Sequence, residues 1–384
     1  MDNNFYCSQK FDSLTIDLLR YETGTCPCDD PVKIDIDWLK KNPGQLHNIP
    51  QKIKDRQDML ENIPAASCEK QCWAPKRSGL PSRQILMNTQ IRTSIDTECD
   101  PKYIVVNLGN LCNLTCSYCC KQYSHSWAND LKKNGPYNDS DRYNLTTKDQ
   151  IIIKLKQNKS TAYDYLLNEI SQYQNIDKLS FTGGEPLLYT GLVDLINRFS
   201  QVKTIGISTG LGLPTATLKK ILDGIDNISN VTMSVSCEGL DEFYEFNRFG
   251  NSYGLFTDNL NLLKLYGVKI LIMSVVSNLT IFGLIEFQKE YKEYPIRYQF
   301  CNDPDFMHLS VLDSDSKKLL IDQFIDSNIS VKSEIIEALQ MPYSAETKTT
   351  FCNFVIEFAK RRNLSLDIFP ATLVKWIKEG QYVV

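Results

Sequence analysis

The sequence lacks the long apolar runs of a membrane protein. Its most apolar stretches, such as residues 268–276, are strand-length, and none approaches the roughly 18 residues of a membrane span. It also lacks an excess of basic charge. Lys plus Arg number 42 against 46 Asp plus Glu, giving a formal net charge of −4 and a pI of about 5.6. That excludes a broad basic surface for wrapping nucleic acid, so no nucleic-acid partner is expected. The opening Met1-Asp-Asn-Asn has no basic region followed by an apolar one, as a signal peptide would. The expectation is a cytoplasmic protein with no membrane partner. No low-complexity tract appears, and no internal repeat beyond a β/α alternation. With 42% hydrophobic and 10% aromatic residues, the chain is not wholly disordered. At roughly 150 residues per domain it makes two to three units, or one large α/β domain with additions.

What the sequence has in excess is cysteine. There are thirteen, an odd number, and ten fall within the first 120 residues. Without an export signal, clustered thiols point to metal or redox chemistry rather than a disulfide framework.

Three regions differ in texture. Residues 1–100 are rich in Cys, Pro, Asn and Asp and weakly periodic. Residues 51–62 there read as a short helix ending before Pro64. The region reads as too irregular for a core alone to hold, and a bound metal would supply the difference. Residues 101–312 alternate strand and helix signals, with β-rich runs at 103–108, Lys178–Thr182, 204–208, Val231–Ser236, 268–276 and Ile296–Phe300. Tyr163, Leu166, Leu167, Ile170 and Tyr173 keep the spacing of one helical face, as do Leu192, Leu195, Ile196 and Phe199. Such alternation predicts a parallel sheet, as a barrel or a doubly wound sheet, with chemistry at the strand ends. Residues 313–384 read as all-helical, with Phe351, Phe354, Val355 and Phe358 as an apolar stripe. Arg361 and Arg362 close that helix, where cations are favourable. A cap over the core, or a partner surface, is the expected role of this extension.

The chemistry-bearing motif is Cys112-Asn-Leu-Thr-Cys116-Ser-Tyr-Cys119, directly after the first strand of the alternating region. Three thiolates at this spacing can converge on one metal centre from a single loop, and thiolates select zinc or iron–sulfur clusters. A structural zinc wants four closed ligands. Three cysteines on a four-iron cluster leave one iron open, a catalytic arrangement. With Cys119 bound, the adjacent Cys120 points elsewhere.

This motif, with aromatic Tyr118 before its last cysteine, resembles the signature of the radical S-adenosylmethionine (SAM) enzymes. Phe181-Thr-Gly183-Gly184-Glu185-Pro186, at the next strand exit, is similar to that family's Gly-Gly-Glu-Pro element. The resemblance implies a partial parallel β/α barrel with a [4Fe-4S] cluster held by Cys112, Cys116 and Cys119. The fourth iron would take SAM, and one electron would release a 5′-deoxyadenosyl radical that abstracts a substrate hydrogen. Further contacts to the cofactor carry over by position. Gly183 and Gly184 let the backbone approach the methionine moiety, and Glu185 accepts from its ammonium. Tyr118 lies beside the cluster, more a packing residue than a radical relay. Ser208 stands where a polar ribose contact is usual, or is simply a strand-end serine. Ser236-Cys-Glu238-Gly239 resembles a Ser-x-Asp-Gly element with Glu in place of Asp. Arg248 suits carboxylate binding, with a surface ion pair as the alternative. Asn278 reaches toward the adenine or is a turn asparagine. His125 and Trp127, just beyond the loop, are expected on a helix surface.

A second cysteine group, Cys7, Cys26, Cys28, Cys68 and Cys72, precedes the barrel segment. Together with Cys68-x3-Cys72-Trp73, Gly79-Leu-Pro-Ser82-Arg83, Arg362-Asn363 and Phe369-Pro370, it resembles the twitch-domain-containing radical SAM proteins of bacteria and phages. That implies a second [4Fe-4S] cluster on Cys7, Cys68, Cys72 and one of Cys26 and Cys28. Four thiolates suit zinc equally well. Cys99, Cys120, Cys237, Cys301 and Cys352 read as ordinary buried thiols. The family implies an electron donor such as flavodoxin or ferredoxin, and a peptide, protein or other substrate that the sequence does not identify. The rival from another class is a zinc-stabilised structural or nucleic-acid-binding protein, which the acidic pI disfavours.

Overall fold

A computed structural model describes residues 5–26, 29–77, 95–137, 143 and 161–380. Cys28 and the stretch 79–83 therefore lie outside the described residues. The chain divides into two compact units that interleave along the sequence. One comprises Met1–Gly109, Ile151–Gly183 and Asp194–Ile207, the other Asn110–Gln150, Gly184–Val193 and Ser208–Val384.

The architecture is α/β, with mainly parallel strands. In the first unit the strands are β1 (Ser13–Asp17), β2 (Glu22–Gly24), β3 (Val32–Lys33), β4 (Tyr103–Asn107), β5 (Lys178–Thr182) and β6 (Thr204–Thr209). Their order is β3-β2-β1-β4-β5-β6. β2 runs antiparallel to β1 and β3, while β1, β4, β5 and β6 are parallel. The register places apolar side chains in rows. Leu14, Ile104, Leu179 and Ile205 are aligned partners, as are Ile16, Val106, Phe181 and Ile207, and all eight are buried. Two-residue alternation sends the intervening residues to the opposite face. The next row, Asp17, Asn107 and Thr182, is polar and lies at the strand exits, where the Asn107 amide donates to Asp17 (3.0 Å).

The amino-terminal region is more regular than its composition suggests. β1–β3 extend the parallel strands, and the helix Pro50–Leu60 stands where a helix was expected. β1 escaped notice because Ser13-Leu-Thr-Ile-Asp17 offers only two apolar residues, too few for a β signal without the neighbouring strand.

The second unit holds β7 (Val231–Ser236), β8 (Lys269–Val276) and β9 (Ile296–Phe300), parallel and in that order. Its carboxyl-terminal part is helical, with Ser314–Ile325, Lys332–Gln340, Ala345–Arg362 and Ala371–Gly380. Ser344 caps the third of these by accepting the Thr347 amide (3.0 Å), and Asn363 ends it in the left-handed conformation (φ 53°). Phe351, Phe354, Val355 and Phe358 are all buried. Phe354 packs among the rings of Trp127, Tyr137, Tyr143 and Phe306. Among the described residues no helix is long and apolar enough to cross a membrane.

Candidate functional site

The loop after β4 carries three cysteines in a frame of satisfied backbone groups. The Cys112 amide donates to His125 Nδ1 (3.0 Å), and Ser126 Oγ donates to the Cys112 carbonyl (2.7 Å). Ser124 Oγ donates to the Leu114 carbonyl (2.6 Å), and the Trp127 indole N–H to the Cys116 carbonyl (3.0 Å). The amides of Thr115 and Ser117 donate to the carbonyls of Phe249 and Asn247, each at 2.9 Å. These bonds restrain the conformation of the loop. His125 and Trp127 are thus parts of that frame. The expectation of a helix surface is corrected for Trp127, which is fully buried, whereas His125 is half-buried at the first position of the helix His125–Asn134.

Cys112 and Cys116 pack with Leu114, and Tyr118 and Cys119 lie against them. All three thiols are free. Burial, with Cys116 nearby, pushes the Cys112 thiol up to about 12. Burial also raises Cys116, against the pull of Arg248. Cys119 is raised well above the usual thiol range by burial, then by Cys120, Cys116 and Cys112. Thiols crowded together in an apolar setting resist ionising alone, whereas a bound cation deprotonates them outright. Among the described residues no three His, Cys, Asp or Glu side chains draw tightly enough together for a single ion. A cubane cluster, by contrast, takes its thiolates on separate irons. The donor set fits an iron–sulfur cluster on Cys112, Cys116 and Cys119.

Arg248 follows the helix Asp241–Asn247 and is buried. Its Nε and Nη2 donate to Glu238 Oε2 (2.7 Å) and Oε1 (2.8 Å). Nη2 also donates to the Tyr118 hydroxyl (2.6 Å), and Nη1 points at Cys116 Sγ (3.8 Å). Burial alone would lower its pKa, but Glu238, Tyr118 and Cys116 outweigh it and keep the guanidinium charged. The carboxylate that Arg248 meets is therefore Glu238, the residue standing where the motif usually has Asp. Only the Nη1 side remains directed toward the cysteines.

Glu185 is buried, and its oxygens accept from three groups of the chain. Oε2 takes Thr209 Oγ1 (3.0 Å) and the Gly210 amide (2.8 Å), and Oε1 takes the Leu187 amide (3.2 Å). Burial raises its pKa, while the Gly210, Thr209 and Leu187 donors oppose the rise. A β-carbon on Gly184 would lie 2.3 Å from the Leu111 carbonyl oxygen. On Gly183 (φ +129°) it would lie 2.4 Å from the Gly109 carbonyl oxygen. The glycines thus admit the backbone around the cysteine loop, a closer demand than the expected approach of a methionine moiety. Ser208 and Ser236 are half-buried within β6 and at the end of β7. Asn278 is fully buried and donates to the carbonyls of Phe306 (2.8 Å) and Val311 (3.4 Å). Among the described residues its Oδ1 finds no partner.

The sequence offered Arg362 as a helix-ending cation and within the Arg362-Asn363 match, with neither reading giving it a partner. In the structure it is buried over the rings of Phe358 (3.9 Å) and Trp127 (4.7 Å). It donates to Thr115 Oγ1 (3.1 Å), inside the cysteine loop, and to the Tyr137 hydroxyl (2.6 Å). Nothing but tertiary contact distinguishes it from its neighbour Arg361.

In the first unit, Cys68 and Cys72 are buried beside Met59, Ala65 and Trp73, with Cys7 and Phe5 packed against them. Burial pushes the Cys68 thiol up to about 12, with Lys10 opposing and Cys72, Asp29 and Cys7 adding to it. Cys26 is half-buried, and its carbonyl accepts the Asp29 amide (3.3 Å). Cys120, Cys237, Cys301 and Cys352 are buried, but Cys99 is only half-buried, with its thiol donating to the Phe11 carbonyl (3.3 Å).

Comparison with known proteins locates this chemistry. Residues 106–286 match the family model described as the radical SAM superfamily. A GTP 3′,8-cyclase of Clostridium perfringens is 27% identical over 151 residues, 38% of each chain. A serine-type anaerobic sulfatase-maturating enzyme of Bacteroides thetaiotaomicron is 24% identical over 303 residues, 73% of this chain and 63% of that enzyme. This chain thus spans less than two thirds of either relative's length. Among solved structures, "Native anSMEcpe with bound AdoMet" aligns at 18% identity with a TM-score of 0.34, over 67% of this chain and 59% of that one.

Proposed function

We propose, from the match of residues 106–286 to the radical SAM superfamily model, an enzyme that reductively cleaves SAM and modifies a peptide or protein. When bound, a [4Fe-4S] cluster and SAM supply a 5′-deoxyadenosyl radical that takes hydrogen from the substrate. The chain's share is to hold, orient and exclude water. Cys112, Cys116 and Cys119 would hold the cluster. The Arg248 guanidinium, kept charged by Glu238, faces the Cys116 sulfur and stabilises it as thiolate. Glu185, with a single protein donor on Oε1, offers that oxygen to the SAM ammonium. Gly183 and Gly184 keep the strand exit flush with the cysteine loop. Ser208, Ser236 and Asn278 are assigned to the nucleoside end of SAM, and an external flavodoxin or ferredoxin delivers the electron.

The observation that carries this reading is the fixed loop presenting three thiols under one buried, charge-paired arginine. A protein substrate is supported by the sulfatase-maturating relative, whose match extends over most of this chain. Residues 1–100 we assign to an auxiliary [4Fe-4S] site on Cys7, Cys68, Cys72 and one of Cys26 and Cys28, and residues 313–384 to a helical extension. The test is anaerobic reconstitution followed by dithionite and SAM. Wild type should form 5′-deoxyadenosine, Cys116→Ala should form none, and Cys120→Ala should keep most of the yield. Undiminished product from Cys116→Ala would end the assignment.

A further inference from the structure

Three separate segments bring the amino-terminal cysteines to the first unit, and one residue, Lys10, belongs to the first and reaches the other two with its side chain. Lys10 is 2% exposed. It lies three residues beyond Cys7, and its amide donates to the Cys7 carbonyl (3.1 Å). Its ammonium donates to Asp29 Oδ2 (3.1 Å), Asp55 Oδ2 (2.9 Å) and Ser67 Oγ (2.6 Å).

Two of these contacts land on the other cysteine-bearing segments. Asp29 bonds back to the segment that ends at Cys26. Its amide donates to the Cys26 carbonyl, and its Oδ2 accepts the Thr25 amide (2.8 Å) and Thr25 Oγ1 (2.7 Å). Gly24 leaves room for that carboxylate, since a β-carbon there would lie 2.4 Å from Asp29 Oδ1. Ser67 immediately precedes Cys68, and its Oγ lies 4.0 Å from the Cys68 sulfur. The Ser67 carbonyl also accepts the Asp30 amide (2.8 Å), tying the second segment to the third. Asp55, on the helix Pro50–Leu60, receives both the ammonium and the Ser67 hydroxyl (2.6 Å) and anchors the group.

We propose that Lys10 is the positioning residue of the amino-terminal cysteine site, gathering the Cys7, Cys26 and Cys68–Cys72 segments into one ligand set. The proposal rests on the reading of these cysteines as a cluster site. An ammonium suits the task because it is a compact charge with three donors, one for each of three converging acceptors. The planar fork of arginine cannot divide itself in this way. Without the cation, Asp29 and Asp55 lose the ammonium that both accept. A thiolate-held cluster carries negative charge, so a buried cation beside it also favours its occupation.

The experiment uses the full chain carrying Cys112→Ala, Cys116→Ala and Cys119→Ala, so that only the amino-terminal site can bind a cluster. With Lys10 intact, reconstituted protein should hold about four irons. Absence of iron there would sink the cluster reading and leave the positioning claim to a second readout. That readout is thiol bridging in metal-free, reduced protein with dibromobimane, mapped by mass spectrometry. Bridges from Cys7 or Cys26 to Cys68 or Cys72 should fall at least fivefold in Lys10→Met. The Cys68–Cys72 bridge, set by its own helical turn, should persist. Lys10→Arg should give an intermediate loss. Unchanged bridging between segments in Lys10→Met overturns the proposal. Should Lys10→Met fail to fold by circular dichroism, Ser67→Ala removes one of the three contacts and is expected to lower bridging to Cys68 selectively. Unchanged bridging in Ser67→Ala would then overturn it.

Discussion

Arg248 and Glu238, ten residues apart, form a side-on ion pair with bonds of 2.7 and 2.8 Å, and both side chains are almost fully buried. A buried pair contributes modestly as a pair but is costly to break, because the survivor keeps its charge without a partner. Here the survivor would be a guanidinium directed at Cys116. Glu238→Ala should therefore destabilise the protein by about 3–5 kcal/mol in urea titrations under anaerobic conditions. Glu238→Gln, which keeps one acceptor, should cost less. Equal stabilities for wild type and Glu238→Ala would show that water replaces the carboxylate without penalty.

The strand exit after β5 admits no side chain at Gly184, where a β-carbon would approach the Leu111 carbonyl oxygen to 2.3 Å. Backbone, not a yielding side chain, is what it would meet. Gly184→Ala should accordingly displace the cysteine loop and lower the iron held at Cys112, Cys116 and Cys119, as well as the affinity for SAM. Normal core iron, with only SAM affinity reduced in calorimetry, would place the glycine's role at the cofactor instead.

Trp127 and Arg362 both brace the cysteine loop, one at the Cys116 carbonyl and one at Thr115. Trp127→Phe keeps the packing but leaves the Cys116 carbonyl with the Cys119 amide (3.0 Å) as its remaining donor, at a cost of about 0.5–1.5 kcal/mol. Arg362→Met removes the Thr115 contact and the charge over the Trp127 and Phe358 rings. Both variants should lose core iron faster than wild type when challenged with a chelator. Identical loss rates would mean that the remaining loop hydrogen bonds suffice.

His47 gives the first unit a pH dependence of calculable sign. It is fully buried, its Nε2 donates to the Phe11 carbonyl (2.9 Å), and among the described residues its Nδ1 has no partner. Burial, then Arg56 and Lys52, lowers its pKa well below the usual value. The unfolded state therefore takes up a proton near pH 6.5 that the folded state refuses. Stability from this group is whole above that pH and falls as the pH drops below it, by up to about 1.4 kcal/mol per unit. His47→Gln should flatten the thermal-melting profile between about pH 6.5 and 5 relative to wild type. Parallel profiles would show that another group governs that range.

The sequence by itself determined the repeated β/α units and the three-cysteine motif, because both are local. Strand runs such as Val231–Ser236 announce themselves by two-residue alternation, and Cys112, Cys116 and Cys119 share one loop whatever surrounds them. The apolar stripe of Phe351, Phe354, Val355 and Phe358 was legible for the same reason. Tertiary structure alone decided the partners of charged and small residues. Arg248 could have met solvent, cofactor or protein, and only folding brought Glu238 to its Nε–Nη2 edge. The burial of Lys10 and Arg362 could not be read locally, since a buried cation is specified by acceptors distant in sequence, such as Asp55 and Thr115. The need for Gly184 likewise arises from a backbone oxygen more than seventy residues earlier. Short β1 became a strand only because β4 lay ready to pair with it, which no pattern within five residues can encode.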